Sequence, residues 1–389
     1  MKSIFPPIAL FLVGIVFLCS FSLVRSEASG QGGSESGDKN LTFYIGTYTG
    51  TTSEGIYRCT LDTENASLGK PELAVAAPNP SFLVFDPALS ILYSVNETED
   101  FEGKASGFVS SYKVDPATGA LQLAGRASSG GKGPCHLGLG ASGQIVATAN
   151  YGDGTVAISA IDTNGSITPP TQVVRHSGSG PDSSRQKGPH AHSANFGPRD
   201  ILYVADLGVD KVFLYALDVE SARVAESSPP YLELAPGSGP RHVAFNRAGT
   251  EMYVVNELNS TVTRFRPFSQ TPDKPLQTIT TLPSDFTGKN WPAEITVSPD
   301  GRFLYVSNRG HDSLAIFRIT QGGLEAVGFA ATEGRNPRHF SFDPSGDFLI
   351  VANQDSDNLV LFRVDKETGQ LTKTSSEVAV GRPVCILFP

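Results

Sequence analysis

The stretch Gly239–Phe265, GPRHVAFNRAGTEMYVVNELNSTVTRF, reads as three short strands separated by tight turns. HVAF, MYVVNE and TVTRF are rich in Val, Phe and Tyr, and the polar segments NRAGTE and LNS divide them, which is the pattern of antiparallel strands joined as hairpins. Two later segments keep the same order: EITV, SPDGR, FLYVSN, RGHDS and LAIFRI from Glu294, then HFSF, DPSGD, FLIVAN, QDSDN and LVLFRV from His339. A dipeptide ending in Pro heads each unit, at Pro80, Pro134, Pro189, Pro240, Pro292, Pro337 and Pro383, with spacings of 45 to 55 residues. A repeat of this length with four strands per unit is the signature of a β-propeller. The chain ends in RPVCILFP, a first strand with nothing after it, and starts its patterned region with LTFYIGTYTG and GIYRCTLD, a second and third strand lacking a first. Joined, these make one blade. The expected fold class is therefore all-β: a seven-bladed propeller of four-stranded antiparallel blades, closed by pairing of the N- and C-terminal strands so that no sheet edge is left at the seam.

With 389 residues, 39% of them apolar and 18% charged, the chain has the composition of an ordinary folded protein. Its net charge of -9 and its lack of any Lys/Arg-rich run exclude nucleic acid and anionic membrane surfaces as partners, because both are held by clustered positive charge. Residues 1–26 combine an early Lys with an apolar run from Ile8 to Leu23, the pattern of a secretory signal peptide. That run is about 16 residues, short of the roughly 20 that span a bilayer as a helix. Export to the periplasm or the exterior is the expectation. Residues 27–40, rich in Gly, Ser and charge, form a flexible leader, and residues 41–389 form the propeller. Cys59, Cys135 and Cys385 remain after the signal peptide, an odd number without metal-type spacing, so at most one disulfide is possible.

In an up-and-down blade, the loop entering the first strand and the loop leaving the second lie at the same end of the sheet. The Pro-Arg-His segments and the residues after each YVVN-type strand therefore share the channel face, with Arg241, His242, Asn256, Glu257, Asn308, Arg309, Arg338 and His339 among them. Aligning the units on Phe196, Phe245 and Phe342 puts His192, Arg241 and Arg338 in one slot, so His192 and not His190 faces where Arg241 faces. Arg suits that slot because its planar fork binds carboxylate or phosphate with paired hydrogen bonds; a Glu or His beside it can move protons. The competing expectation is that these side chains cap loops and brace neighbouring blades. GLGASG, residues 138–143, lies between two strands and reads as a hairpin turn rather than a nucleotide loop. His190 and His192 could offer two metal ligands, but no nearby carboxylate completes a set, and no metal is assigned. A G-x-S-x-G nucleophile elbow is absent.

At GPHAHSANFGPRDILYVADLGVDKVFLYALD, GSGPRHVAFNRAGTEMYVVNELNS and WPAEITVSPDGRFLYVSNRGHDSLAIF the chain resembles the seven-bladed lactonase family, which contains propeller-type 6-phosphogluconolactonases and carboxy-cis,cis-muconate cyclases. The resemblance runs from Leu41 to Pro389. It implies functional roles for His192 in AHSAN, Arg241 in GPRH, Glu257 in VNELNS and Arg309 in SNRG, with Arg338 in NPRH as an anion contact. His242, Asn256 and Asn308 join Arg338 as expected substrate contacts. The implied activity is hydrolysis of a sugar-acid lactone by a monomer without metal or organic cofactor, with Arg241 and Arg309 holding the anionic group or oxyanion and Glu257 or His192 activating water. An exported chain puts the phosphorylated type substrate in question, so a different lactone stays open. Two alternatives stand beside it: a non-enzymatic exported propeller that binds a ligand, and a muconate-type lactonizing cyclase.

Overall fold

Residues 239–265 form three consecutive antiparallel strands, Pro240–Phe245, Met252–Asn256 and Thr261–Phe265, and Gln277–Thr280 completes their sheet. The computed structural model describes residues 39–268 and 274–389. Within them this four-strand unit recurs as blade 2 (residues 83–128), blade 3 (134–175), blade 4 (191–233), blade 5 (240–280), blade 6 (291–331) and blade 7 (337–379). Blade 1 is composite. Its inner strand is Pro383–Leu387, paired antiparallel with Asn40–Thr47, and Gly55–Asp62 follows, so the two ends of the chain close the ring. The expected signal peptide and all but the last two residues of the expected leader lie outside the described residues. Asn40, assigned to that leader, belongs to the first strand, opposite Asp62.

Burial explains the sequence pattern. The second strand of each blade is covered on both faces by neighbouring blades, so ILYSVN, MYVVN and FLIVAN are buried throughout and read as continuous apolar runs. Outer strands face solvent on one side and alternate, as in Ile167–Arg175 and Leu371–Ala379. Apolar clusters join adjacent blades around the ring. Tyr253, Val255 and Val262 of blade 5, for example, pack with Ile295, Leu304 and Phe317 of blade 6, and Phe43, Ile45 and Leu61 of blade 1 pack with Ile350, Leu359 and Leu361 of blade 7. The tyrosine of the second strand also stitches blades together. Tyr44, Tyr93 and Tyr305 donate to the carbonyls of Gly119, Gly165 and Gly369 in the next blade's outer turn, at 2.8, 3.0 and 2.7 Å. Cys59, Cys135 and Cys385 are buried free thiols, so the single bridge that composition allowed does not form among them. Gly138 and Leu139 of GLGASG close the strand Pro134–Leu139, and residues 140–143 lie in the hairpin turn before Ile145–Asn150.

Candidate active site at the channel face

A β-bulge at the start of the inner strands aims the site. Pairing slips by one residue after Pro134, Ala191, Pro240, Pro292, Pro337 and Pro383, with both Ala293 and Glu294 standing opposite Ser307 in blade 6. The extra residue in each is left out of the ladder and its side chain is redirected toward the channel: Cys135, His192, Arg241, Arg338 and Val384, with Ala293 and Glu294 in blade 6. At the same end of all seven blades, the residue at or just after the end of the second strand supplies a second ring: Tyr48, Glu97, Tyr151, Leu207, Glu257, Arg309 and Gln354. The Glu257 amide donates to the Gly239 carbonyl at 2.7 Å, which fixes the two rings at one level.

Glu257 is the centre of charge. Its Oε1 accepts from Arg185 Nη2 at 2.5 Å and its Oε2 accepts from Arg309 Nη2 at 2.7 Å, while Arg241 Nε lies 3.2 Å from the same Oε2. The Glu257 side chain is 4% exposed and that of Arg241 3%. Burial alone would raise the carboxyl's pKa, but the guanidinium groups of Arg309, Arg241 and Arg185 outweigh it and bring it down to about 2. Glu257 is therefore a fixed anion. Arg241 donates through Nη1 to the Ala293 carbonyl at 2.7 Å. Its Nε is close enough to Glu257 for an ion pair, but the N–H does not point along that line, so this buried donor has no hydrogen-bond acceptor among the described residues. Burial, with Arg309 and Arg338 nearby, lowers Arg241's pKa to about 9, which still leaves it cationic near neutrality.

A second layer supports Arg241 from below. His242 Nδ1 is 3.0 Å from Glu294 Oε2, and its Nε2 is 3.2 Å from Arg241 Nη1. Because a guanidinium only donates, Nε2 must accept and Nδ1 carry the proton toward Glu294. His339 Nε2 lies 3.4 Å from the same oxygen, with its Nδ1 accepting the Ile386 amide at 3.3 Å. Both nitrogens of His242, expected as a substrate contact, are thus engaged by protein, one by Arg241 and one by Glu294. Asn256 and Asn308 are engaged by protein too. Strand alternation turns them into the blade, where Asn256 Nδ2 donates to Thr261 Oγ1 and Thr263 Oγ1 at 2.9 Å each, and Asn308 Nδ2 donates to the Thr281 carbonyl at 2.7 Å.

His192 is 5% exposed and lies on the channel face, its ring 5.4 Å from those of Tyr151 and His242. Burial, then the charge of Arg241, holds its pKa well below the ordinary histidine value, so it is neutral at pH 7. His190 diverges from it, with Nδ1 2.8 Å from the Tyr151 carbonyl, and among the described residues no group of three or more His, Cys, Asp or Glu is arranged to hold a metal. Arg338 faces the channel over the ring of Tyr48, 5.3 Å from its centroid, with no ion pair or hydrogen bond among the described residues. Tyr48 in turn donates to Glu97 at 2.9 Å. Sequence reasoning missed Arg185, because its loop, residues 176–190, lies outside the repeat. It also passed over Glu294, which the shifted Pro292 unit could have revealed as the occupant of the histidine slot.

Seven four-stranded blades in a ring, with a buried carboxylate clamped by arginines at one end of the channel, define a seven-bladed β-propeller with its charged cluster on the channel face. The family model described as "Lactonase, 7-bladed beta-propeller" matches residues 42–388, and the chain belongs to that family. It is 40% identical over 350 residues to a 6-phosphogluconolactonase of Bacillus subtilis, covering 89% of this chain and 97% of that protein. A second 6-phosphogluconolactonase, from Formosa agariphila, is 33% identical over 308 residues, covering 78% and 86%. Among solved structures, a periplasmic gluconolactonase of Pseudomonas aeruginosa superposes with a TM-score of 0.84 at 35% identity, over 90% of this chain and all of that one.

Proposed function

We propose that the protein is a hydrolase of sugar-acid lactones and that His192, Arg241, Glu257 and Arg309 carry the reaction. The carrying observation is the buried Arg241 Nε–H without an acceptor, beside a carboxylate-clamped Arg309 and on the same face as a neutral histidine. A buried unsatisfied donor is costly unless a ligand completes it, and a lactone carbonyl oxygen is a suitable acceptor. Water attacks the lactone carbonyl carbon, His192 takes the water proton, and the tetrahedral oxyanion is held by Arg241 and Arg309. The ring C–O bond then breaks, and the departing alkoxide recovers the proton from His192, giving the open hydroxy acid.

Glu257 fills a different role from the general base expected of it. Both of its carboxylate oxygens are taken by guanidinium groups, and its contribution is to fix Arg241 and Arg309 in place. The meeting of Arg241 and Arg309 on Glu257, with His192 on the same face beside His242, supports catalysis over the alternative of a binding-only propeller. The apolar run Ile8–Leu23 and the periplasmic description of the Pseudomonas relative support an exported enzyme.

A panel of aldonolactones assayed by acid release tests the reading. His192→Asn should lower kcat by about 10²–10⁴-fold with little change in KM. Arg241→Lys, which keeps charge but loses the Nε donor, should lower kcat by about 10²-fold or more. The reading fails if the unaltered protein opens no lactone, or if both variants, folded by circular dichroism, keep full activity.

A further inference from the structure

The bulges set Cys135 of blade 3, His192 of blade 4 and Arg241 of blade 5 in successive slots of the ring. The reaction proposed above uses the last two and leaves the thiol idle. Cys135 is a free thiol, 7% exposed, and every contact of its Sγ runs to blade 4. The sulfur lies 3.2 Å from the His192 carbonyl oxygen, 3.8 Å from the Ala191 carbonyl oxygen and 3.8 Å from His192 Nδ1. It therefore touches both the backbone and the ring of the residue read as the base.

Proton counting assigns a direction to each contact. A thiol has one proton to donate and a sulfur that accepts weakly. Burial pushes the Cys135 pKa above the usual thiol value, so the proton stays on sulfur, and a thiol held in that form is a poor nucleophile. The His192 carbonyl can only accept and is the nearest of the three groups, so the S–H points to it. The sulfur lone pairs then face Nδ1, and a neutral imidazole satisfies that contact only with its proton on Nδ1. Nε2 is left bare, because the hydrogen bond made by one ring nitrogen sets the state of the other. The rings beside His192 offer Nδ1 no other partner: Tyr151 has its hydroxyl against Arg185 Nη2 at 3.2 Å, and His242 has its nitrogens on Arg241 and Glu294.

We propose that Cys135 is a positioning residue for lactone opening, its thiol bridging the carbonyl and Nδ1 of His192 so that the imidazole keeps one tautomer and one orientation, with Nε2 free to take the proton of water. The role of Nε2 rests on the lactonase reading; the tautomer rests on the thiol contacts alone. When Nε2 takes the proton from water the ring becomes a cation, and its Nδ1–H contact with sulfur is strengthened by the charge. Return of that proton to the departing alkoxide restores the starting tautomer, so Cys135 neither gains nor loses a proton over the cycle.

Proton–nitrogen correlation spectra of the histidine side chains read tautomers without turnover, and comparison with His192→Asn identifies the His192 signals among the seven histidines. In the unaltered protein near neutrality, His192 should carry its proton on Nδ1 alone. In Cys135→Ala both tautomers should be populated, and kcat for lactone opening should fall about tenfold with KM changed by less than about twofold, because the lost contact serves the chemical step. Cys135→Ser, whose hydroxyl can donate to the same carbonyl and accept from the same Nδ1, should recover the single tautomer and most of kcat. Cys59→Ala removes a buried thiol of blade 1 that donates to the Gly69 carbonyl, and should change neither readout. A His192 protonated on Nε2 in the unaltered protein overturns the proposal, a result that needs no Cys135 variant to fold. So does a Cys135→Ala protein, folded by circular dichroism, with unaltered tautomer and kcat. A Cys135-dependent tautomer in a protein that opens no lactone leaves the contact standing and removes the lactonase reading; lactone opening that needs His192 and is indifferent to Cys135 does the reverse.

Discussion

Glu257 and the buried histidines give single residues control over how the fold responds to acid. His136, His192, His242 and His339 all have pKa values pushed down, chiefly by burial, while Glu257 is pulled down by its arginines. In the unfolded chain the histidines take up protons near pH 6.5 and the glutamate near 4.3; the folded state resists both. The unfolded state therefore binds more protons, and stability falls as pH drops, first below about 6.5 and again between about 4.3 and 2. Glu294 works the other way, because burial raises its pKa. Urea midpoints measured from pH 8 to pH 4 should decline below about 6.5. A midpoint flat from pH 8 to pH 5 would show that the histidines are not buried neutral. The residues of this cluster were largely legible in the chain, because equivalent slots of a repeat point alike: that comparison separated His192 from His190. What it could not give is that Asn256 and Glu257, adjacent in sequence, face opposite ways with opposite uses.

The decisive elements are the bulge and the loop. Each bulge turns a strand residue into a site residue. The 176–190 loop, outside the repeat, carries Arg185 to the carboxylate. Asp206 holds both ends of that loop: its Oδ2 lies 2.6 Å from His176 Nδ1 and its Oδ1 accepts the His190 amide at 2.7 Å. Gln186 secures the middle, donating to the Leu207 carbonyl and to Asp210 Oδ1, both at 2.8 Å. Replacing Asp206 with Asn removes the buried charge at this anchor and should loosen the loop. We expect kcat/KM for lactone opening to fall about tenfold through a higher KM, with a thermal midpoint lowered by several degrees. An unchanged KM would mean that Arg185 is held by Glu257 and Tyr151 alone. Nothing in the composition of HSGSGPDSSRQKGPH marks it as a site loop; its place follows from contacts with residues 16 to 72 positions away.

Across the whole molecule, function depends on a closed ring, since the cluster draws on several blades and no blade contains it. Closure rests on five residues. Pro383–Leu387 pairs with Asn40–Thr47, and Val384, Cys385 and Ile386 are buried. Fully burying one aliphatic side chain contributes about 1.5–3 kcal/mol, so Val384 and Ile386 together carry a large part of a typical stability of about 5–15 kcal/mol. A chain truncated after Arg382 should lose its cooperative thermal transition or show it lowered by more than about 10 °C, and should expose the edge of Asn40–Thr47 to aggregation. Retention of a native-like transition would mean that the seam is not what locks the ring.

Strand order, repeat length, blade number and terminal closure were set by local pattern: short apolar runs, turn residues at fixed offsets, and an incomplete unit at each end. These are near-neighbour properties and can be read along the chain. The pairing of Arg185, Arg241 and Arg309 on one carboxylate, the support of Arg241 by His242 and Glu294, and the contact of Cys135 with His192 were decided only by the tertiary structure. The physical reason is that ion pairing and desolvation depend on distance and burial in space. The ring brings together on one carboxylate the guanidinium groups of Arg185 and Arg309, which the sequence keeps 124 residues apart.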